Sequence, residues 1–314
     1  MPEFEWGALG PGRKGRFALT VREGLTLPVL AVRGAQAGRT LLVSAGVHGD
    51  EYEGIQAIFD VFEALDPNGM HGSLITAPIA NPPAFWNGTR TSPLDGGNLA
   101  RMFPGDAEGG ATQAIAWHFD RRLLALADFY LDLHSAGVKW LMPTLVGYHA
   151  GDPAAEAAAE AFGAPVVWRH TSIAPGRTVS AAAARGLPSL YVEGRGAGRI
   201  HPDDLAVYRD GILRLMGHLG ITRGEAEPRP PRMRLAGGGN IDEGVLARQR
   251  GFLTPRVELL QHVTEGELLG TLHDEWGRTL DAYHAPRAGV VVLIHACPLV
   301  AADEPLFLIT GLAG

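Results

Sequence analysis

The chain has 314 residues, 46% hydrophobic and 19% charged, with 27 Lys and Arg against 34 Asp and Glu for a formal charge of −7. That length predicts one large domain plus a smaller one, and the composition excludes a disordered chain. A mildly acidic surface without a Lys/Arg block speaks against nucleic acid or an anionic membrane as partner, and the single cysteine, Cys297, excludes an internal disulfide and a Cys-rich metal cluster.

The N-terminus, MPEFEWGALGPGRKGRF, contains no apolar run of the signal-peptide kind, and no stretch approaches about 18 uninterrupted apolar residues. The expectation is a soluble, cytoplasmic protein with no membrane span. From Leu27 to about His218, short apolar runs alternate with helix-like segments. Thr40–Ala45 is β-rich, Glu51–Leu65 has helical periodicity, and Ser73–Ile79 returns to strand character. Ala111–Leu126 reads as helix and Phe129–Leu133 as a buried strand. Thr144–Tyr148, Pro165–Trp168 and Leu190–Val192 are further strand candidates, separated by the Ala-rich segments Ala154–Phe162 and Val179–Arg185. Strands alternating with helices predict an α/β fold around a largely parallel sheet, with functional residues beyond the carboxyl ends of the strands.

The stretch 223–232 (RGEAEPRPPR) is rich in proline and charge and reads as a linker. It would join a large α/β domain over 1–222 to a smaller, β-rich C-terminal domain over 233–314. That second segment carries short β-like runs, Gly-rich turns and little helical periodicity.

The segment Ser44-Ala-Gly-Val-His48-Gly-Asp-Glu51 follows a predicted strand and opens a predicted helix. Three-residue spacing in a first helical turn, or in the loop before it, can turn His48 and Glu51 toward one point. A third candidate ligand is His134, at the end of FYLDLHS. Two His and one Glu leave a coordination position open for water, the usual build of a catalytic zinc site. Strand alternation puts Asp132 on the same side as His134, where it could accept a hydrogen bond from the outer ring nitrogen. Each piece has a plainer alternative: a helix-cap histidine at His48, a solvated first-turn acid at Glu51, a structural strand histidine at His134.

Gly46-Val-His48-Gly-Asp-Glu51 and Asp132-Leu-His134-Ser resemble the two zinc motifs of the succinylglutamate desuccinylase/aspartoacylase family, which is related to the zinc carboxypeptidases. Between them, Asn81-Pro-Pro-Ala-Phe-Trp-Asn87-Gly-Thr-Arg90 and Asn98-Leu-Ala-Arg101-Met-Phe-Pro-Gly105 resemble two further family segments, and Tyr191-Val-Glu193-Gly194 resembles its strand-end Glu-Gly. The elements run in family order from about Leu41 to Gly194.

The resemblance implies an amide hydrolase with one zinc per chain on His48, Glu51 and His134. Glu193 is implied as the general base that later protonates the leaving amine. Arg90 is the implied oxyanion stabiliser and Arg101 the implied clamp on a substrate carboxylate, the plainer alternative for both being surface or structural ion pairing. Asn81 could line the pocket or simply make a turn. The family pattern has Asn before the second arginine where this chain has Ala100, which points away from unchanged aspartoacylase specificity. The expected substrate is another small N-acyl amino acid or amine, such as an acetylated diamino acid.

Residues 263–291 resemble half of a biotinyl/lipoyl barrel-sandwich, but no lysine follows Lys139, so cofactor attachment there is excluded. The resemblance implies instead a β segment packed over the active-site mouth, from which Tyr283 could reach in, unless it is a buried strand tyrosine. A carboxypeptidase-type peptidase and a non-catalytic zinc-binding protein are the competing readings. The sequence leaves open whether the chain forms a homo-oligomer.

Overall fold

The computed structural model describes residues 1–223 and 227–313; residues 224–226 of the expected linker lie outside the described residues. The strand Gln36–Ala45 buries its last six residues without alternation, the pattern of a strand covered on both faces. It pairs in parallel with His71–Ala77 on one side and with Phe129–Leu133 on the other, and the latter pairs in parallel with Ser189–Glu193.

The sheet continues outward from this centre. Beyond His71–Ala77 lie the antiparallel strands Leu25–Arg33 and Arg13–Arg22. Beyond Ser189–Glu193 lie Leu145–His149, antiparallel to it, and then Val166–His170. The strand Met233–Ala236 adds in parallel to Val166–His170 and pairs on its other side with Pro305–Leu312, so the C-terminal residues extend the same 14-stranded sheet. A second, four-stranded antiparallel sheet is built from Gly251–Pro255, Leu268–His273, Thr279–His284 and Leu299–Val300.

Helices cover both faces of the central strands. Glu53–Ala64 buries Ile55, Ile58, Val61 and Phe62 at helical spacing and packs against Pro202–His218, which packs in turn against Pro153–Phe162 on the same face. Pro153–Phe162 starts where Asp152 accepts from the amides of Ala154 and Ala155 at 3.0 Å each, and stops at Gly163, whose φ of 79° suits a residue without Cβ. Ala111–Arg122 and Thr178–Ala184 cover the opposite face. Among the described residues no helix is long and apolar enough to cross a membrane.

The architecture is therefore α/β, a large and mostly parallel sheet between helices with an additional antiparallel sheet. Strand order reverses at Gln36–Ala45: the chain leaves it toward His71–Ala77 and returns on its other flank at Phe129–Leu133. Such a reversal opens a crevice at the strands' carboxyl ends.

Candidate metal centre

Two loops leave adjacent strands at that crevice. The first, after Ala45, turns at Gly46, whose φ is +61° and whose Cβ would lie 3.1 Å from the Ile79 backbone. It delivers His48 and Glu51, both 3% exposed, before the helix begins at Glu53. The second loop, after Leu133, delivers His134. Glu51 receives a ring nitrogen of each histidine, His48 Nδ1 on Oε1 at 2.7 Å and His134 Nδ1 on Oε2 at 2.9 Å. One candidate donor atom from each of the three residues lies within 4.8 Å of the others.

The outer nitrogens are occupied. His48 Nε2 is 3.2 Å from Asn98 Oδ1, which also accepts the Ala100 amide at 3.0 Å. His134 Nε2 is 2.9 Å from Asp132 Oδ2. Asp132 accepts in turn from Ser44 Oγ at 2.6 Å and from the Thr178 hydroxyl. With a cation in place of the protons that now lie between Nδ1 and Glu51, the acceptors on both outer nitrogens would keep the remaining ring protons there and turn both Nδ1 lone pairs toward the ion. With a carboxylate between them, the donor set fits a divalent cation of the zinc type.

Charge follows the same logic. Burial, aided by Arg90, pushes His48 down to about 4 against the pull of Glu51, so this ring is neutral at pH 7. Burial also opposes charge on His134, but Asp132 and Glu51 outweigh it and lift that ring well above its ordinary value. The proton it holds is the one a bound cation would displace. Burial opposes charge on Glu51 as well, and the two histidines overcome it, holding the carboxyl far below the usual range.

The triad opens into a cavity of about 460 Å³. Glu193 projects into it from the end of Ser189–Glu193, with Oε2 enclosed and without a hydrogen-bond partner among the described residues. Burial pushes this carboxyl up to about 8, while His134 and Arg90 pull the other way. Arg90 donates to Glu51 Oε1 at 3.1 Å and lies 5.5 Å from the centroid of the Trp140 ring. Trp140 is fixed from the C-terminal segment, donating from Nε1 to the Pro305 carbonyl at 2.8 Å. Gly239, Asn240, Leu293 and Leu308 of that segment also line the cavity.

Arg101 reaches the cavity wall, but its Nη2 is paired with Asp242 at 3.2 Å. Arg177, which the sequence reading did not single out, lines the same wall. Its Nε is enclosed without a partner among the described residues, and its Nη2 lies 3.5 Å from Asn240 Oδ1. Asn81 does not line the cavity. Fully buried, it caps the helix Pro82–Asn87 by accepting from the Ala84 amide at 3.4 Å, and it donates to the Val47 carbonyl at 3.3 Å, bracing the first loop from behind. Tyr283 is a buried strand tyrosine whose hydroxyl accepts from the Arg248 amide at 3.1 Å. Asn98, Ser44 and Thr178 were also unassigned by sequence. Asn98 alone had a signal, since it opens one of the family-like segments.

The fold and site define an α/β protein with a buried His–Glu–His group that could hold a metal ion, and comparison with known proteins places it more closely. The description of the succinylglutamate desuccinylase/aspartoacylase catalytic domain matches residues 37–219, and the chain belongs to that family. It is 34% identical over 277 residues to an N-alpha-acetyl-L-2,4-diaminobutyric acid deacetylase from Halomonas elongata, covering 84% of this chain and 80% of the relative. Among solved structures, a succinylglutamate desuccinylase from Silicibacter sp. TM1040 superposes with a TM-score of 0.87 at 28% identity, covering 96% of this chain and 95% of the other. The product-bound ectoine utilization protein EutE (DoeB) from Ruegeria pomeroyi does so with 0.86 at 29% identity, covering 95% of each chain.

Proposed function

We propose that the protein is a zinc-dependent deacylase that hydrolyses the amide of a small N-acyl amino acid, with an Nα-acetylated diamino acid as its substrate. The observation that carries the reading is the enclosed Oε2 of Glu193, without a partner among the described residues, in the cavity onto which His48, Glu51 and His134 open. The similarity to the deacetylase from Halomonas elongata supports the choice of acyl donor.

His48 and His134, each through Nδ1, and Glu51 would hold the ion. Bound there, zinc supplies Lewis-acid polarisation of a carbonyl and lowers the pKa of water. Glu193 takes a proton from the attacking water as the new C–O bond forms. It returns that proton to the departing nitrogen as the C–N bond breaks, leaving a free carboxylic acid and an amine. A carboxyl poised near neutrality can both accept and give back a proton. The Arg90 guanidinium, braced on Trp140, favours negative charge developing on the acyl oxygen. Arg101 and Arg177 supply cationic charge for the substrate carboxylate.

The test is amine release from a panel of acetyl, succinyl and longer N-acyl amino acids by zinc-loaded protein, with Glu193→Gln in parallel. The expected result is turnover that falls at least about 100-fold in the variant while zinc stays bound. Stoichiometric zinc without turnover of any donor would overturn the proposal.

A further inference from the structure

One wall of the cavity is a row of side chains from three neighbouring strands. Tyr191 and Glu193 share a face of Ser189–Glu193. Gly147 stands opposite Tyr191 in the next strand, and Trp168 stands opposite Gly147 in the one after. A Cβ at Gly147 would fall 2.0 Å from Tyr191 Cε1 and 2.6 Å from its hydroxyl, so only glycine lets the tyrosine ring lie where it does. The His170 ring packs against both aromatics, its centroid 4.7 Å from that of Trp168 and 5.5 Å from that of Tyr191.

Hydrogen-bond directions in this row are fixed by one backbone carbonyl. His170 Nδ1 lies 2.9 Å from the Gly237 oxygen, which can only accept, so Nδ1 carries the proton. Burial, with Arg177 nearby, pushes this histidine down to about 4, so at neutral pH it holds one proton only. Its Nε2 is then a bare acceptor, and the Tyr191 hydroxyl at 2.6 Å must be the donor. Burial and Glu193 hold Tyr191 far above its ordinary range, so the hydroxyl stays protonated. With that proton committed to His170, Tyr191 can offer the cavity lone pairs and a ring face, both of which suit a cation.

We propose that the Gly237–His170–Tyr191 relay makes Tyr191 the acceptor for a primary ammonium group of the substrate, so that the site selects N-acyl diamino acids over N-acyl dicarboxylic acids. Arg177, close enough to interact with Tyr191 and Glu193, provides the adjacent guanidinium for the carboxylate of the same molecule. A neighbouring acceptor and guanidinium match one small molecule that carries both an ammonium and a carboxylate. Tyr191 is the specificity residue, and His170 positions its proton.

This inference rests on the deacylase reading, and the two can fail separately. The probes are Nα-acetyl-2,4-diaminobutyrate and Nα-acetylnorvaline, in which a methyl replaces the ammonium. Wild-type protein is expected to prefer the first. Tyr191→Phe should raise KM for the first about tenfold, with kcat little changed, and leave the second within about twofold. His170→Leu, which keeps Tyr191 but frees its proton, should lower the same preference. Equal effects on both probes, or no preference in the wild type, would overturn the inference while deacylation stands. If no acyl compound is turned over, calorimetric binding of free 2,4-diaminobutyrate and of norvaline decides it. Tighter binding of the diamine, lost in Tyr191→Phe, supports the subsite, and equal binding overturns it.

Discussion

His134 Nε2 donates to Asp132 Oδ2 across 2.9 Å, and Asp132 is 1% exposed at the end of the strand that delivers the histidine. Burial opposes charge on this carboxyl, yet His134, Ser44 and Thr178 hold it below its ordinary range, so it is an anion that fixes both the tautomer and the ring plane of His134. Asp132→Asn keeps the shape but removes the charge that secures the proton on Nε2. Zinc affinity, measured by competition with a chromogenic chelator, should fall about 10- to 100-fold. An unchanged affinity would remove Asp132 from the support of the site.

Gly49 lies between His48 and Asp50 with no room for a side chain. A Cβ there would meet the Ala84 backbone carbon at 2.0 Å and the Phe85 nitrogen at 2.2 Å, at the start of the helix that Asn81 caps. Gly49→Ala must therefore move the loop or the helix. We expect a loss of about 1–3 kcal/mol in denaturant unfolding, together with weaker zinc binding. Gly69→Ala meets nothing within 4 Å and should stay within about 0.5 kcal/mol of wild type. Matching stabilities for the two variants would refute the steric account.

The parts of this architecture legible in sequence are those where one short segment carries its own pattern. TLLVSA and FYLDL are short, mostly apolar runs with one polar residue just before the last, and the observed strands Gln36–Ala45 and Phe129–Leu133 contain them. The helix Glu53–Ala64 begins two residues after the expected Glu51, which leaves Glu51 in the loop where it meets both histidines. Arg13–Arg22 was not assigned, because as an edge strand it is half exposed and interrupted by Arg13, Lys14 and Arg16. Asn81-Pro-Pro read as turn or pocket chemistry, whereas the prolines begin a short helix and Asn81 is its cap. The His170–Tyr191 pair had no signal, since strand pairing brings together residues 21 apart. Likewise, nothing local in Met233–Ala236 specifies Val166–His170 as its parallel neighbour.

His170 also sets an acid limit on stability. Its folded value of about 4 lies below the ordinary 6.5, so the unfolded chain takes up a proton that the folded chain refuses. The contribution is fully present above pH 6.5 and is lost as pH falls toward 4, since stability drops wherever the unfolded state binds more protons. A depression of this size corresponds to roughly 3 kcal/mol at most. His48 is depressed in the same window, so the informative quantity is the difference between proteins. In metal-free protein, urea unfolding of His170→Gln should decline less steeply between pH 6.5 and 4 than wild type. Parallel curves would show that His170 takes its proton in the fold without penalty.

The two arginines beside the cavity separate by what already holds them. Arg101 is 33% exposed and paired with Asp242, itself 63% exposed, so a substrate carboxylate must displace an existing partner from a solvated guanidinium. Arg177 is more deeply set, burial and Arg101 disfavour its charge, and its enclosed Nε has no partner among the described residues. An incoming carboxylate would relieve that deficit, so the gain on binding is greater at Arg177 than at Arg101. Arg177→Ala should raise KM for an N-acetyl amino acid about 10- to 100-fold, and Arg101→Ala by less than about tenfold. With an N-acetyl amino acid amide, which lacks the carboxylate, both variants should lie close to wild type. The opposite ranking would return the carboxylate to Arg101, the residue that the sequence motif favours, and would make the Arg177 environment a purely structural feature of the loop before Thr178–Ala184.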